Sequence, residues 1–266
     1  MKAKKIGWFS CGVTSAVSCK LAIEKYGKEN VELYYMGIKT AHEDNVRFMK
    51  DCEEWYGMKI KTVTSDKYTD QFDVIEKTGY VNGVAGARCT LELKKKVRYR
   101  IEEEVKYDGQ IFGFEFVKKE INRAIRFSQQ FPNSKPIYPL IDRKINKPQA
   151  AELLLYNGIK LPKMYELGFH NNNCIMCVKG GKGYANHVRK HFPDHFKRMS
   201  KLERKVGNSC IKGVFLDELS PTAGKHEPPI VPDCGTFCEI EFADILDPNT
   251  EKVLAGYKTM KQLNLF

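Results

Sequence analysis

Short apolar runs alternate along the first half of the chain with longer stretches whose apolar residues recur at helical spacing. Lys5-Ile6-Gly7-Trp8-Phe9 reads as a strand, and Ala16, Val17, Leu21 and Ala22 place a helix directly after it. Residues 31–38 form a second buried strand. Residues 44–56 carry Val46, Met49 and Trp55 on one helical face, and residues 59–64 alternate as a third strand. Residues 71–77 and 91–105 read as helices and residues 110–114 as a fourth strand, followed by a helix through Ile121, Ile125 and Phe127. Residues 136–141 are extended, and their prolines confine them to an edge or a loop. Strands spaced by helices of this length make βαβ units with right-handed crossovers. The pattern therefore predicts an α/β, Rossmann-like parallel sheet with helices on both faces. Ligands of such sheets sit beyond the carboxyl ends of the strands. That rule gathers residues 10–15, 39–45 and 114–123 around one crevice.

From about Gly158 the character changes: strand signals fade, and cysteines, glycines and prolines cluster. Two regions are expected, an α/β nucleotide-binding domain over 1–157 and a cysteine-rich, mainly helical region over 158–266. Within the latter, residues 193–206 are a helix opened by Pro193 and closed by Gly207. The turn at Asp247-Pro248-Asn249 suggests a hairpin in the tail.

The 266 residues, 42% hydrophobic and 29% charged, suit one large globular domain or one domain with an appendage. No uncharged apolar run approaches the ~20 residues of a membrane span, and the basic start leads straight into the first strand without an apolar leader. A membrane partner is thus not expected. Nine cysteines in such a chain point to a reducing cytoplasm, where they serve as thiols, metal ligands or catalytic groups. The net charge of +11 favours anionic partners, whether nucleotides, sulfate-bearing substrates or nucleic acid. Much of it is spread as single lysines such as Lys59, Lys61 and Lys67, which also suit a plain solvated surface. Oligomeric state is not set by the sequence.

The junction of first strand and first helix holds the first candidate chemistry: Ser10-Cys11-Gly12-Val13-Thr14-Ser15. Unpaired amides of a first helical turn, with hydroxyls beside them, suit a phosphate or sulfate group. The run is neither a P-loop nor a Gly-x-Gly-x-x-Gly motif, and an ordinary Ser/Thr-capped turn is the alternative. The second signal is the cysteine spacing. Cys174-Ile175-Met176-Cys177 and, further on, Cys234 and Cys238 form two short pairs, the usual frame of a thiolate site for zinc or an iron–sulfur cluster. Cys89 stands apart at the head of Cys89-Thr90-Leu91-Glu92-Leu93-Lys94, and Cys210 is a further candidate ligand. Cys19 and Cys52 read as core residues. Glu120 and Arg123 follow the fourth strand, where a carboxylate suits a ribose hydroxyl and a guanidinium a phosphate or sulfate. Residues 178–184 join glycines to Lys179 and Lys182, a loop fit to close over an anionic ligand or a nucleic-acid backbone, or simply a flexible connection. His187, His191 and His195 recur every four residues, but Pro193 breaks the stripe, so no metal site is expected there.

Together these residues resemble the phosphoadenosine phosphosulfate (PAPS) reductase family of the adenine nucleotide alpha-hydrolase-like, or PP-loop, superfamily. The family's Ser-Gly-Gly-x-Asp-Ser loop is similar to the 10–15 run, with Cys11 for a glycine and Thr14 for the aspartate. Its Cys-Thr-x-x-Leu-Lys resembles Cys89 to Lys94. Its Gly-x-x-x-x-Glu-x-x-Arg resembles Gly113 with Glu120 and Arg123, slightly displaced. Its Leu-Tyr-x-x-Gly-Phe run before a C-x-x-C is similar to Met164 to Phe169 with Cys174 and Cys177. The Cys177 to Tyr184 run and Asp233-Cys234-Gly235 resemble the form carried by bacteriophages and mobile elements.

The resemblance implies an adenine nucleotide, PAPS, adenylyl sulfate or ATP, gripped by Ser10, Cys11, Gly12, Thr14 and Ser15 with Lys94, Glu120 and Arg123. It implies thiol-dependent sulfonucleotide reduction with Cys234 as nucleophile and thioredoxin or another thiol donor as partner, with Cys89 as a second reactive thiol. Relatives that reduce adenylyl sulfate carry a [4Fe–4S] cluster on cysteines at positions like Cys89, Cys174 and Cys177. Cys234 is either that nucleophile or, with Cys174, Cys177 and Cys238, a ligand of zinc or a cluster. The alternatives are an ATP-dependent PP-loop sulfurtransferase or adenylating enzyme acting on nucleic acid or a small molecule, and a nucleotide-binding module without turnover.

Overall fold

The structure is a computed structural model that describes residues 3–83 and 86–225. Its centre is a five-stranded sheet in the order β3-β2-β1-β4-β5, every pair parallel. The strands are β1 (Lys4–Phe9), β2 (Val31–Met36), β3 (Ile60–Val63), β4 (Tyr107–Ile111) and the two-residue edge strand β5 (Pro136–Ile137). The crossovers run through α1 (Val13–Tyr26), α2 (Asn45–Tyr56), α3 (Gln71–Thr78) and then α4 (Arg88–Thr90), a π-helical turn (Leu91–Lys95) and α5 (Lys96–Glu104). The chain continues through α6 (Lys118–Gln130), α7 (Pro139–Asp142), α8 (Lys147–Tyr156), α9 (Lys163–Glu166), α10 (Lys182–His191) and α11 (Pro193–Val206). The sheet order reverses beside β1, so the carboxyl end of β1 lies at the switch point where such folds open a crevice.

Strand alternation sorts the core. Phe9 and Leu33 point to the face covered by α1, α2 and α8, where Val17, Phe48, Tyr56 and Leu154 are buried with them. Ile6 and Tyr34 point to the other face, onto Ile101 of α5. A third cluster (Phe114, Ile121, Tyr138 and Ile141) closes that side under α6. The helix ends follow local chemistry. The Asp70 carboxylate accepts from Asp73 N–H at 2.9 Å and caps α3, and Asn146 with Gln149 forms a capping box on α8.

The expected βαβ pattern is present, with two differences. The fourth strand ends at Ile111, with one more ladder bond from Phe112 N–H to the Ile137 carbonyl (3.0 Å), and Gly113 then backs onto the start of α1. The helix expected over 91–105 begins at Arg88 and takes an extra residue in its π-helical turn.

The cysteine-rich region does not keep to itself. A second core joins Phe72 and Ile75 of α3 to Met164, Phe169, Met176, Val188, Met199 and Leu216. Ile159 and Tyr165 pack into the first core. Cys234, Cys238 and the expected tail hairpin lie outside the described residues. No described helix is long and apolar enough to cross a membrane.

Candidate functional site

At the carboxyl end of β1 the chain turns through Ser10, Cys11 and Gly12 into α1. Cys11 takes the left-handed conformation (φ 56°), a shape that costs a side-chain-bearing residue roughly 1–2 kcal/mol. The turn is held by its own hydroxyls. Ser10 N–H donates to Ser15 Oγ (3.0 Å), the two hydroxyls lie 2.9 Å apart, and Ser15 Oγ–H donates to the Gly12 carbonyl (2.9 Å). No side chain caps α1. Its first turn therefore presents amides to the crevice, with the positive end of the helix dipole behind them.

The crevice is a cleft of about 950 Å³, large enough for a nucleotide. Ser10, Thr14 and Ser15 form its floor. Trp8, Tyr34, Phe112 and Phe114 form an aromatic side, and Lys94, Lys95, Arg98, Lys119, Arg123 and Lys147 line it with Glu115 and Glu120. Asn45 and Cys174 close the far edge. Arg123 lies over the Phe114 ring (4.3 Å) and pairs with Glu120 (3.1 Å), which fixes both side chains at the rim. The basic groups outnumber the carboxylates, so the cleft suits a polyanion.

The sequence candidates fall into three groups. Ser10, Thr14, Ser15, Lys94, Glu120, Arg123 and Cys174 all line the cleft. Cys11 and Gly12 do not. The Cys11 side chain is fully buried with its Sγ 3.8 Å from the Asn45 carbonyl, and burial holds its thiol far above the ordinary value. It is a packing residue that sets the loop's turn. Cys89 and Cys177 lie behind Cys174. Burial pushes the Cys89 thiol up to about 11, and the neighbouring Cys177 and Cys174 add to the shift. Burial raises Cys174 too, Lys94 opposes it, and Cys177 adds to it. Cys210 sits deeper, its thiol raised by burial and by Glu203. Among the described residues, no three His, Cys, Asp or Glu side chains are set at metal-holding distances.

The C-x-x-C turn is anchored as firmly as the loop. Met176 takes a left-handed φ of 62°. Ile175 N–H donates to the Thr40 carbonyl (2.9 Å), and Gln71 Nε2 donates to the Ile175 carbonyl (2.7 Å). Tyr184 Oη accepts from Cys177 N–H (3.1 Å) and donates to the Cys174 carbonyl (3.0 Å).

Sequence reasoning missed the pieces that join loop to thiols. Asn172 Nδ2 donates to the Cys11 carbonyl (2.6 Å) and to Asn45 Oδ1 (2.7 Å), while its own Oδ1 is buried with no hydrogen-bond partner among the described residues. Lys147, nearly buried at the start of α8, donates to Asn171 Oδ1 (2.7 Å) and to the His170 carbonyl. The available signal was Asn171-Asn172-Asn173 directly before Cys174.

Among the groups lining the cleft, Glu115 sits where burial disfavours its charge. Burial raises it above the ordinary 4.5, although Lys147 N–H (2.7 Å) and the Lys147 charge pull the other way. Below its raised pKa the group is neutral, and above it a negative charge faces any bound anion. Nucleotide affinity should therefore fall as pH rises through that window. Glu115→Gln should flatten the dependence and tighten binding at neutral pH by ~3- to 10-fold, read by titration calorimetry across pH.

No protein-family model matches the chain. It is similar to an uncharacterized protein of Methanocaldococcus jannaschii, 24% identical over 201 residues that make up 74% of this chain and 40% of that protein. The chain thus spans about two fifths of the length of that relative. Among solved structures it is similar to the U34-tRNA thiolase NcsA from Methanococcus maripaludis with its [4Fe-4S] cluster. The two are 17% identical, the match covers 85% of this chain and 83% of that one, and the TM-score is 0.44.

Proposed function

We propose that the chain is an ATP-using enzyme of the PP-loop type that activates an acceptor by adenylation and exchanges the activated oxygen for sulfur. One observation carries the reading: Cys174, backed by Cys89 and Cys177, shares its cleft with the hydroxyl loop and Lys94. Two supports stand beside it. Left-handed residues occur at both halves of the site, Cys11 and Met176, and strain of this kind is held where structure over-determines it. The buried Asn172 Oδ1 awaits a donor at the cleft wall.

In this reading the adenine lies on the aromatic side. The loop amides with Ser10 and Thr14 hold the terminal phosphates, and Lys94, Lys119 and Arg123 neutralise them. An acceptor oxygen attacks the α-phosphorus, the α–β bridge breaks, and pyrophosphate leaves. A sulfur nucleophile then attacks the activated carbon, and the oxygen departs with AMP. The loop and lysines contribute by stabilising the charge on the leaving pyrophosphate.

The donor set Cys89, Cys174 and Cys177 is all thiol, with no carboxylate. That chemistry suits an iron–sulfur cluster or zinc, and these three residues would hold it only after drawing together, since their spacing here is not metal-holding. When bound, such a centre would keep a sulfur donor beside the nucleotide. The reductase alternative rests on Cys234.

The test is anaerobically purified full chain given ATP, sulfide and total RNA or DNA, against the same protein given PAPS and dithiothreitol. AMP and pyrophosphate formed from ATP, dependent on the acceptor, are the expected result. Sulfite from PAPS with no use of ATP would overturn the reading.

A further inference from the structure

A second cleft, of about 480 Å³, opens on the other side of the C-x-x-C turn. The turn divides its two cysteines between the clefts, Cys174 lining the first and Cys177 the second, and His170, Asn171 and Asn173 belong to both walls. The rest of the second cleft is built from Lys179, Lys182 and Lys225, from glycines of the 180–183 run, and from the rings of Phe169, Tyr184 and His187. Among the described residues no carboxylate lines it.

The rings are fixed. Tyr184 Oη is tied to the backbone of both cysteines, His187 Nε2 lies 2.7 Å from the Leu167 carbonyl, and Phe169 packs edge-on to both (5.7 and 4.3 Å between centroids). Asn186 Nδ2 donates to the Ser220 and Ala223 carbonyls (2.9 and 2.8 Å), which ties the segment leading to Lys225 onto α10. A side chain at Gly224 would meet the backbone of Lys182 and Gly183, so the two segments touch there.

We infer that this second cleft grips the strand that carries the acceptor, a single strand of nucleic acid: its phosphates lie on Lys179, Lys182 and Lys225, an unstacked base flanking the acceptor borders Tyr184 and His187 beside Cys177, and the acceptor base itself reaches the first cleft. The inference rests on the sulfur-exchange reading only for what happens to that base. Three exposed lysines spread around an open groove match a repeating charge better than one buried phosphate. The parts of Tyr184 and His187 that line the groove offer an apolar border that a base can contact. The lining glycines let a backbone approach closely. The reacting base would then pass the wall that the two clefts share, His170, Asn171 and Asn173, to meet the nucleotide beside Cys174.

The test is fluorescence anisotropy with labelled 12-residue single strands of RNA and of DNA. It compares the full chain with the variant Lys179→Ala/Lys182→Ala/Lys225→Ala and with a control that removes Lys59, Lys61 and Lys67 instead. The cleft variant should bind at least ~10-fold more weakly and lose about two from its log–log salt slope, while the control changes affinity less than ~2-fold. Lys→Arg at the same three positions should restore most of the affinity, and the preferred strand identifies RNA or DNA. Equal loss in both variants, no loss in the cleft variant, binding of neither strand, or competition by inorganic phosphate as effective as by unlabelled strand would overturn the inference. ATP titration on the same proteins separates the two readings. Strand binding that needs the lysines, in a chain that does not bind ATP, would end the adenylation reading and leave this one standing.

Discussion

Gly113→Ala should weaken nucleotide binding sharply and unsettle the fold in one step. An added Cβ would stand 2.7 Å from Ser15 N, 2.8 Å from Ser15 Cα and 3.0 Å from the Thr14 carbonyl carbon. These are backbone atoms of the first turn of α1, and they have nowhere to go. Val13, Ala16 and Val17 on the same turns are fully buried, so α1 cannot slide without opening the core. Overpacking of this kind costs about 1–3 kcal/mol, which lowers the melting temperature by roughly 3–10 °C in a chain of this size. The displaced Ser15 amide and hydroxyl belong to the anion loop, so ATP affinity should fall at least ~10-fold as well. Thermal unfolding and calorimetric titration check the two halves. Gly181→Ala is the control, since a Cβ there meets nothing within 4 Å. Unchanged ATP affinity in Gly113→Ala would mean that the loop does not hold the nucleotide.

Cys174→Ser should strip metal from the anaerobically purified protein and stop sulfur exchange while ATP still binds. Without metal the Cys89 and Cys174 thiols sit above their ordinary pKa, chiefly through burial, so both are protonated at neutral pH. Ligation must expel those protons, and loading with iron and sulfide should weaken as pH falls. Metal content in Cys174→Ser should drop to under about a tenth of the parent, and chelation of the parent should give the same loss of turnover. Cys52→Ser provides the contrast. Cys52 is fully buried between the first helices, far from the C-x-x-C turn in the fold, so that variant should lose stability and keep its metal. Retention of full metal content by Cys174→Ser would remove the thiol set from the mechanism.

Much of the scaffold could be read from apolar spacing. Leu33 and Tyr34 differ by one position and face opposite sides of the sheet, and period-two alternation reveals that directly. The turn at 10–15 was legible in a similar way, as a strand that ends in small hydroxyl residues directly before a helical stripe. Three things were not legible. Lys147 is one lysine among many until the fold buries it beside Asn171. Cys89 and Cys177 are far apart along the chain, and only the return of the cysteine-rich region onto α3 brings them together. The side-chain direction of Cys11 depends on a single left-handed residue, and no periodicity records a turn of that length. The cysteines expected to complete a tetrahedral site, Cys234 and Cys238, lie outside the described residues, so the gathered set is the one built around Cys89.

The π-helical turn at residues 91–95 sets the phase of that set. Such a turn is an α-helix carrying one surplus residue, and each residue of an α-helix advances the spiral by about 100°. Were the surplus absent, Lys96 to Glu104 could stay docked against the sheet, yet everything before them would swing around the helix by more than a quarter circle. Cys89 would then face away from its sister thiols, and Lys94, inside the turn, would leave the first cleft with it. A one-residue gap in that short stretch would therefore take both the third thiol and Lys94 from the proposed site at once, with the sheet beneath left in place.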